Sequence, residues 1–150
     1  DGRASCRERV EISVVVYAHN EASRFHLPAL RWWLDLMRGG KPVGLGWATV
    51  MGFVRIVTHP GIQASPLKVE QALAITDSWF ARANVQVVHP GSRHYRILSE
   101  FLREVGTGGN LVTDAHLAAL AMEHQGELHS NDADFCRFPG LRWVNPIASG

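Results

Sequence analysis

Thiols are nearly missing from this chain. Its two cysteines, Cys6 and Cys136, stand far apart and form no C-x-x-C pair. That spacing argues against a disulfide framework and against a thiolate zinc site, and it fits a reducing cytoplasm. Long apolar runs are missing too: none approaches the ~20 residues a helix needs to cross a bilayer, so no membrane role is read. Charge of one sign is scarce, since 15 Lys and Arg against 14 Asp and Glu leave a net charge of +1. A broad basic coat is thereby excluded, and any nucleic-acid contact must be local, through a few arginines near a reacting phosphate. Eight histidines are present, but none falls in an H-x-x-x-H or H-E-x-x-H pair, so a helical zinc site is not indicated. The Gly106–Gly109 run lacks the Lys-Ser/Thr of a phosphate-binding loop and reads as a linker. No G-x-S-x-G elbow appears.

What remains is an ordinary globular composition. With 150 residues, 46% apolar and 19% charged, the chain suits one domain with its own core. Residues 1–10 contain neither an initiator Met nor a signal-peptide core. They are read as a leader or cloning remnant, and the domain is placed at 11–147.

Periodicity supplies the elements. The β-branched run at 12–18 predicts a buried strand. Helices are expected over 24–38, 47–58, 67–82, 92–105 and 114–125, with Tyr95, Leu98, Leu102 and Val105 inward in the fourth and a Gly126 stop after the last. Short strands are expected at 84–88, 127–130 and 141–144. Alternation of strands and helices predicts an α/β sandwich with a mainly parallel sheet, whose ligands gather at the carboxyl ends of the strands.

Three acids fall at that edge. Asp114 opens a helix, and Asp132 and Asp134 follow the strand at 127–130. Either of the first two serves as a helix cap in the plain reading, since carboxylates satisfy free amides and suit the helix dipole. The Asp132/Asp134 pair is less easily assigned to capping, because the second acid adds repulsion. Clustered oxygen donors suit a hard cation such as Mg²⁺ or Mn²⁺, which relieves the repulsion, and phosphodiester hydrolysis is the use expected of them.

The stretches Asn110-Leu-Val-Thr-Asp-Ala-His-Leu-Ala and Ser130-Asn-Asp-Ala-Asp-Phe closely resemble PIN-domain ribonucleases of the VapC toxin family. Gly52-Phe-Val-Arg-Ile-Val-Thr-His-Pro and Val16-Tyr-Ala-His-Asn extend the likeness over about 140 residues. The resemblance implies a PIN-like three-layer α/β/α sandwich and metal-dependent endoribonuclease activity with Mg²⁺ or Mn²⁺. It also implies a VapB-type antitoxin and RNA as partners, and a homodimer. Asp114, Asp132 and Asp134 would be catalytic and hold the metal with Glu11. Arg55, one turn beyond Gly52, suits a substrate phosphate or a neighbouring acid, or else a plain surface salt bridge.

Three positions depart from the family pattern. Glu11 and Ser13 stand where it has Asp-x-Asn, and Gly52 where many members have Glu. The family alignment also turns 12–18 into a turn and first helix, with the polar Arg7-Glu-Arg-Val segment as the strand. The departures keep an alternative open: a catalytically impaired PIN module that only binds RNA or antitoxin. Among the tryptophans, Trp32, Trp33 and Trp79 are expected to pack in the core. Trp32 is the best candidate for an exposed face used in dimer or antitoxin contacts. Arg93 and Arg96 suit either an RNA track or a plain basic helix face.

Overall fold

A short polar segment, Glu8–Val10, forms the middle strand of the sheet. In the computed structural model, which describes residues 8–10, 12–106, 109 and 111–147 with side chains from Val15 onward, this strand is β1. The others are β2 (Val43–Gly46), β3 (Val85–Val88), β4 (Glu127–His129) and β5 (Arg142–Val144). Their order is β3-β2-β1-β4-β5, and every neighbouring pair is parallel. The described helices are α1 (Ile12–Ala18), α2 (His26–Arg38), α3 (Trp47–Thr58), α4 (Val69–Phe80), α5 (His94–Val105) and α6 (Leu111–Glu123). The expected parallel α/β architecture is what forms.

The sheet is covered on both faces, so its strands need not alternate. One layer packs α1 to α4 around Trp33, Leu45, Phe53 and Trp79; the other packs α5 and α6 around Phe101, Leu120, Leu128 and Phe135. Burial of each such side chain stabilises the fold by roughly 1.5–3 kcal/mol. Helix α6 is buried nearly all round, and its alanines at 115, 118, 119 and 121 allow close approach of sheet and helix. Gly106, at φ 73°, closes α5 in the left-handed conformation that glycine adopts without strain.

Several expectations need correction. The run at 12–18 is the helix α1, not a strand. With β1 ending at Val10, the chain has to leave the sheet there, and Val15, Val16 and Ala18 bury as a helix face. Tertiary burial overrides β-propensity. The middle strand therefore lies upstream of residue 11, inside the segment set apart as a leader. Strand β2 was not foreseen at all: Val-Gly-Leu-Gly has little strand propensity, yet it pairs with β1 and β3 and is buried throughout. Tyr95, expected inward, is 79% exposed. Helix α6 starts at Leu111, which puts Asp114 in its first turn rather than at its start.

Candidate metal centre

The carboxyl edge of the sheet is set by register. Val10 pairs with His129, and His129 with Val144, so β1, β4 and β5 end level with one another. Just past β4 the backbone turns into a 3-10 helix over Ala133–Arg137, for which Asp132 is the N-cap. The turn is held from three sides. Ser130 Oγ accepts from the Asp132 amide at 3.0 Å, and Asp132 Oδ1 accepts from the Asp134 amide at 2.9 Å. Trp143 Nε1 donates to the Ser130 carbonyl at 2.8 Å, and the Ser130 amide donates to Val144 O at 3.0 Å. Beneath the acids, Phe135 and Phe138 are 1% and 2% exposed and pack with each other and Phe101. The acidic turn is thus bolted to the core.

Asp114 meets this turn from α6. One carboxylate oxygen from each of Asp114, Asp132 and Asp134 lies within 4.8 Å of the others, with Asp114 and Asp132 half-buried and Asp134 exposed. Burial, reinforced by the charges of Asp132 and Asp134, raises the Asp114 pKa to about 6. Capping by Asp132 is real, but it does not account for the convergence of Asp114 on the same point. The three oxygens are near enough for one hard cation to be held between them, and an ion there would offset their mutual repulsion. All three donors are oxygens, as Mg²⁺ or Mn²⁺ prefers. The residues fit the metal.

Glu11, expected as a further ligand, lies outside the described residues, as does the side chain of Ser13. Arg55 is exposed in the last turn of α3, and Gly52 sits half-buried one turn before it. Among the described residues the acid trio is the one group of three or more His, Cys, Asp or Glu side chains placed to share an ion.

His116 does not bond Asp114. Its Nδ1 lies 3.0 Å from His94 Nε2, and His94 Nδ1 lies 3.8 Å from Glu123 Oε1. Burial lowers the pKa of both imidazoles; Glu123 opposes the shift at His94, and His94 adds to it at His116. Glu123 also receives the Gly91 and Arg93 amides, while Arg93 Nη2 donates to the Glu123 carbonyl. Arg93 is therefore committed to tying α5 to α6. Sequence reasoning missed this clamp, and it missed Ser130. The Ser-x-Asp spacing of an ST-turn was the available signal for the second.

The PIN domain family matches residues 10–141 of the chain. This protein belongs to the PIN-domain family. Its relatives include Ribonuclease VapC37 of Mycobacterium tuberculosis, 44% identical over 139 residues that cover 93% of this chain and 96% of that protein. Ribonuclease VapC33 of the same species is 36% identical over 137 residues, covering 91% and 96%. The fold is shared with VapBC2 from Rickettsia felis, solved bound to a DNA fragment from its promoter, at TM-score 0.65 and 19% identity over 93% of this chain and 98% of that one. The chain is thus a VapC-type PIN domain, as the acidic motifs implied. Its three acids occupy the strand-end edge on which parallel α/β folds bind ligands.

Proposed function

We propose that this PIN domain is a metal-dependent endoribonuclease, the toxin of a VapBC-type toxin–antitoxin pair. The observation that carries the reading is the convergence of Asp114, Asp132 and Asp134 within 4.8 Å at the strand ends. The relatives named ribonucleases, up to 44% identical, support the substrate class. A bound Mg²⁺ or Mn²⁺ would supply a water of lowered pKa and offset negative charge on the phosphate. Asp132 is aimed by Ser130 and by the Asp134 amide, and Asp114 is presented by the first turn of α6. Glu11 follows Val10 directly and is included as a ligand. Arg55 is assigned to a substrate phosphate.

The partners of this reading are RNA, a VapB-type antitoxin and a second copy of the chain. For the last, Trp47, Met51, Leu73 and Phe80 offer exposed apolar surface on α3 and α4. The setting is the cytoplasm; among the described residues no helix is long and apolar enough to cross a membrane.

The test is direct. Purified protein cleaves a structured RNA with Mg²⁺ or Mn²⁺, stops with EDTA, and loses activity as Asp132→Asn. Cleavage that survives Asp114→Asn overturns the metal assignment. RNA or antitoxin binding with no cleavage in any metal replaces the nuclease by a binding module.

A further inference from the structure

A groove of about 660 Å³ opens between α2 and the ends of β4 and β5. Trp32, Arg31, Asp35 and Lys41 line one side, His129 and Val144 the other. It belongs to the α1–α4 side of the sheet, whereas Asp114 comes from the opposite layer. Its size is that of a small-ligand pocket rather than of a surface wrinkle.

Trp32 is held as a fixed platform. Its indole N–H donates to His129 Nδ1 at 3.0 Å, the two rings lie within 25° of parallel at 5.9 Å, and Trp33 flanks it at 5.7 Å. Glu127 Oε1 lies 3.4 Å from His129 Nε2 and completes the chain. A ring already fixed loses little entropy when something stacks on it.

Position connects the groove to the acids. His129 and Asp132 are three residues apart, at most about 10 Å of extended chain. A strand laying one phosphate at the acid trio can therefore reach the His129 end of the groove within a nucleotide or two. Charge points the same way: three carboxylates repel a polyanion, and the chain carries a net charge of only +1. Phosphates along the strand need cations, and the groove offers exposed Arg31 next to Trp32 and exposed Lys41 at its far end, before β2, against the single charge of Asp35. Unpaired RNA bases are commonly held by stacking on an aromatic ring with arginine or lysine on the backbone.

We propose that this groove is an RNA subsite: it takes an unpaired base beside the scissile phosphate, stacked on Trp32, with Arg31 and Lys41 on the flanking backbone. The proposal rests on the nuclease reading and specifies where that enzyme grips its substrate.

The experiment measures KM and kcat for the structured RNA in Mn²⁺, and the affinity of metal-free protein for a fluorescein-labelled single-stranded RNA 12-mer. Trp32→Ala and the double variant Arg31→Glu/Lys41→Glu each raise KM and the 12-mer Kd about tenfold, with the effect on KM rather than kcat. Trp32→Phe, which keeps a stacking face, restores most of the loss. The charge variant leaves the Trp32–His129 contact in place, so it decides the matter even where Trp32→Ala folds poorly. Wild-type cleavage with KM unmoved in the charge variant and in folded Trp32→Ala overturns the subsite while the nuclease stands. The same result with escape from a VapB-type antitoxin makes the groove a protein-docking site and overturns it too. If wild type cleaves nothing, the nuclease reading fails, and the 12-mer affinities alone decide whether the groove binds RNA.

Discussion

Replacing Asp114 by Asn should make the metal-free protein more stable while it destroys the site. Burial and the two neighbouring acids raise the Asp114 pKa from 3.8 to about 6. The folded state thus holds a proton between those values that the unfolded state has released. Stability falls as pH rises through that window, and above it the ionised carboxylate carries the full penalty. A shift of this size corresponds to about 3 kcal/mol at face value. Asp114 is only half-buried, and solvent screening reduces the penalty to about 1–2 kcal/mol. Asn has nearly the same shape without the charge. At about 2–4 °C per kcal/mol for a chain of this length, metal-free Asp114→Asn should melt about 2–8 °C above wild type near pH 7.5. The gap should close as the pH is lowered toward 4.

Mn²⁺ should reverse the order. Bound at 100 times its Kd, an ion stabilises the folded wild type by about 2.7 kcal/mol, whereas the Asn variant gains much less. Thermal melts followed by circular dichroism at two pH values, with EDTA or Mn²⁺, give all the comparisons. Two results refute the reasoning. An Asn variant no more stable than wild type in EDTA near pH 7.5 means that the three acids do not share a field. Equal Mn²⁺ stabilisation of both proteins means that the ion binds elsewhere.

Three further outcomes follow from the packing. Ser130→Ala deprives the Asp132 amide of its acceptor and should cost about 1–3 kcal/mol; Mn²⁺ titration should show weaker binding with the acids all present. Phe135→Ala, at a site 1% exposed beneath the acids, should cost about 3–5 kcal/mol in denaturant melts and lower cleavage in step with the folded fraction. Glu123→Ala removes the acceptor for the Gly91 and Arg93 amides and should cost about 2 kcal/mol, with faster hydrogen exchange at those two amides and unchanged Mn²⁺ affinity.

The parts of this molecule that were legible in the sequence share a physical reason, and so do the parts that were not. Helices α2 to α5 carry an apolar stripe of helical period, and α6 an Ala-rich apolar run closed by Gly126. Nearest-neighbour chemistry suffices to find them. Strands β1 and β2 are different. Glu-Arg-Val and Val-Gly-Leu-Gly are poor strands in isolation; each is a strand because partners on both sides satisfy its backbone. In the same way Ile12–Ala18 looks like a strand until the end of β1 at Val10 obliges the chain to turn away. The site divides along the same line. Asp132 and Asp134 announce themselves by spacing, since a second carboxylate two residues on has no capping use. Asp114 joins them only through the crossing of α6 over β4, and the Trp32–His129 contact joins residues 97 apart, where no local pattern reaches. Chemistry carried by one turn can be read from the chain, whereas chemistry assembled by the sheet register needs the fold. The RNA subsite belongs to the second kind: its ring and Arg31 come from α2, Lys41 from the amino-terminal side of β2, and the acids from α6 and the turn after β4, so only the packing of α2 along the sheet joins them.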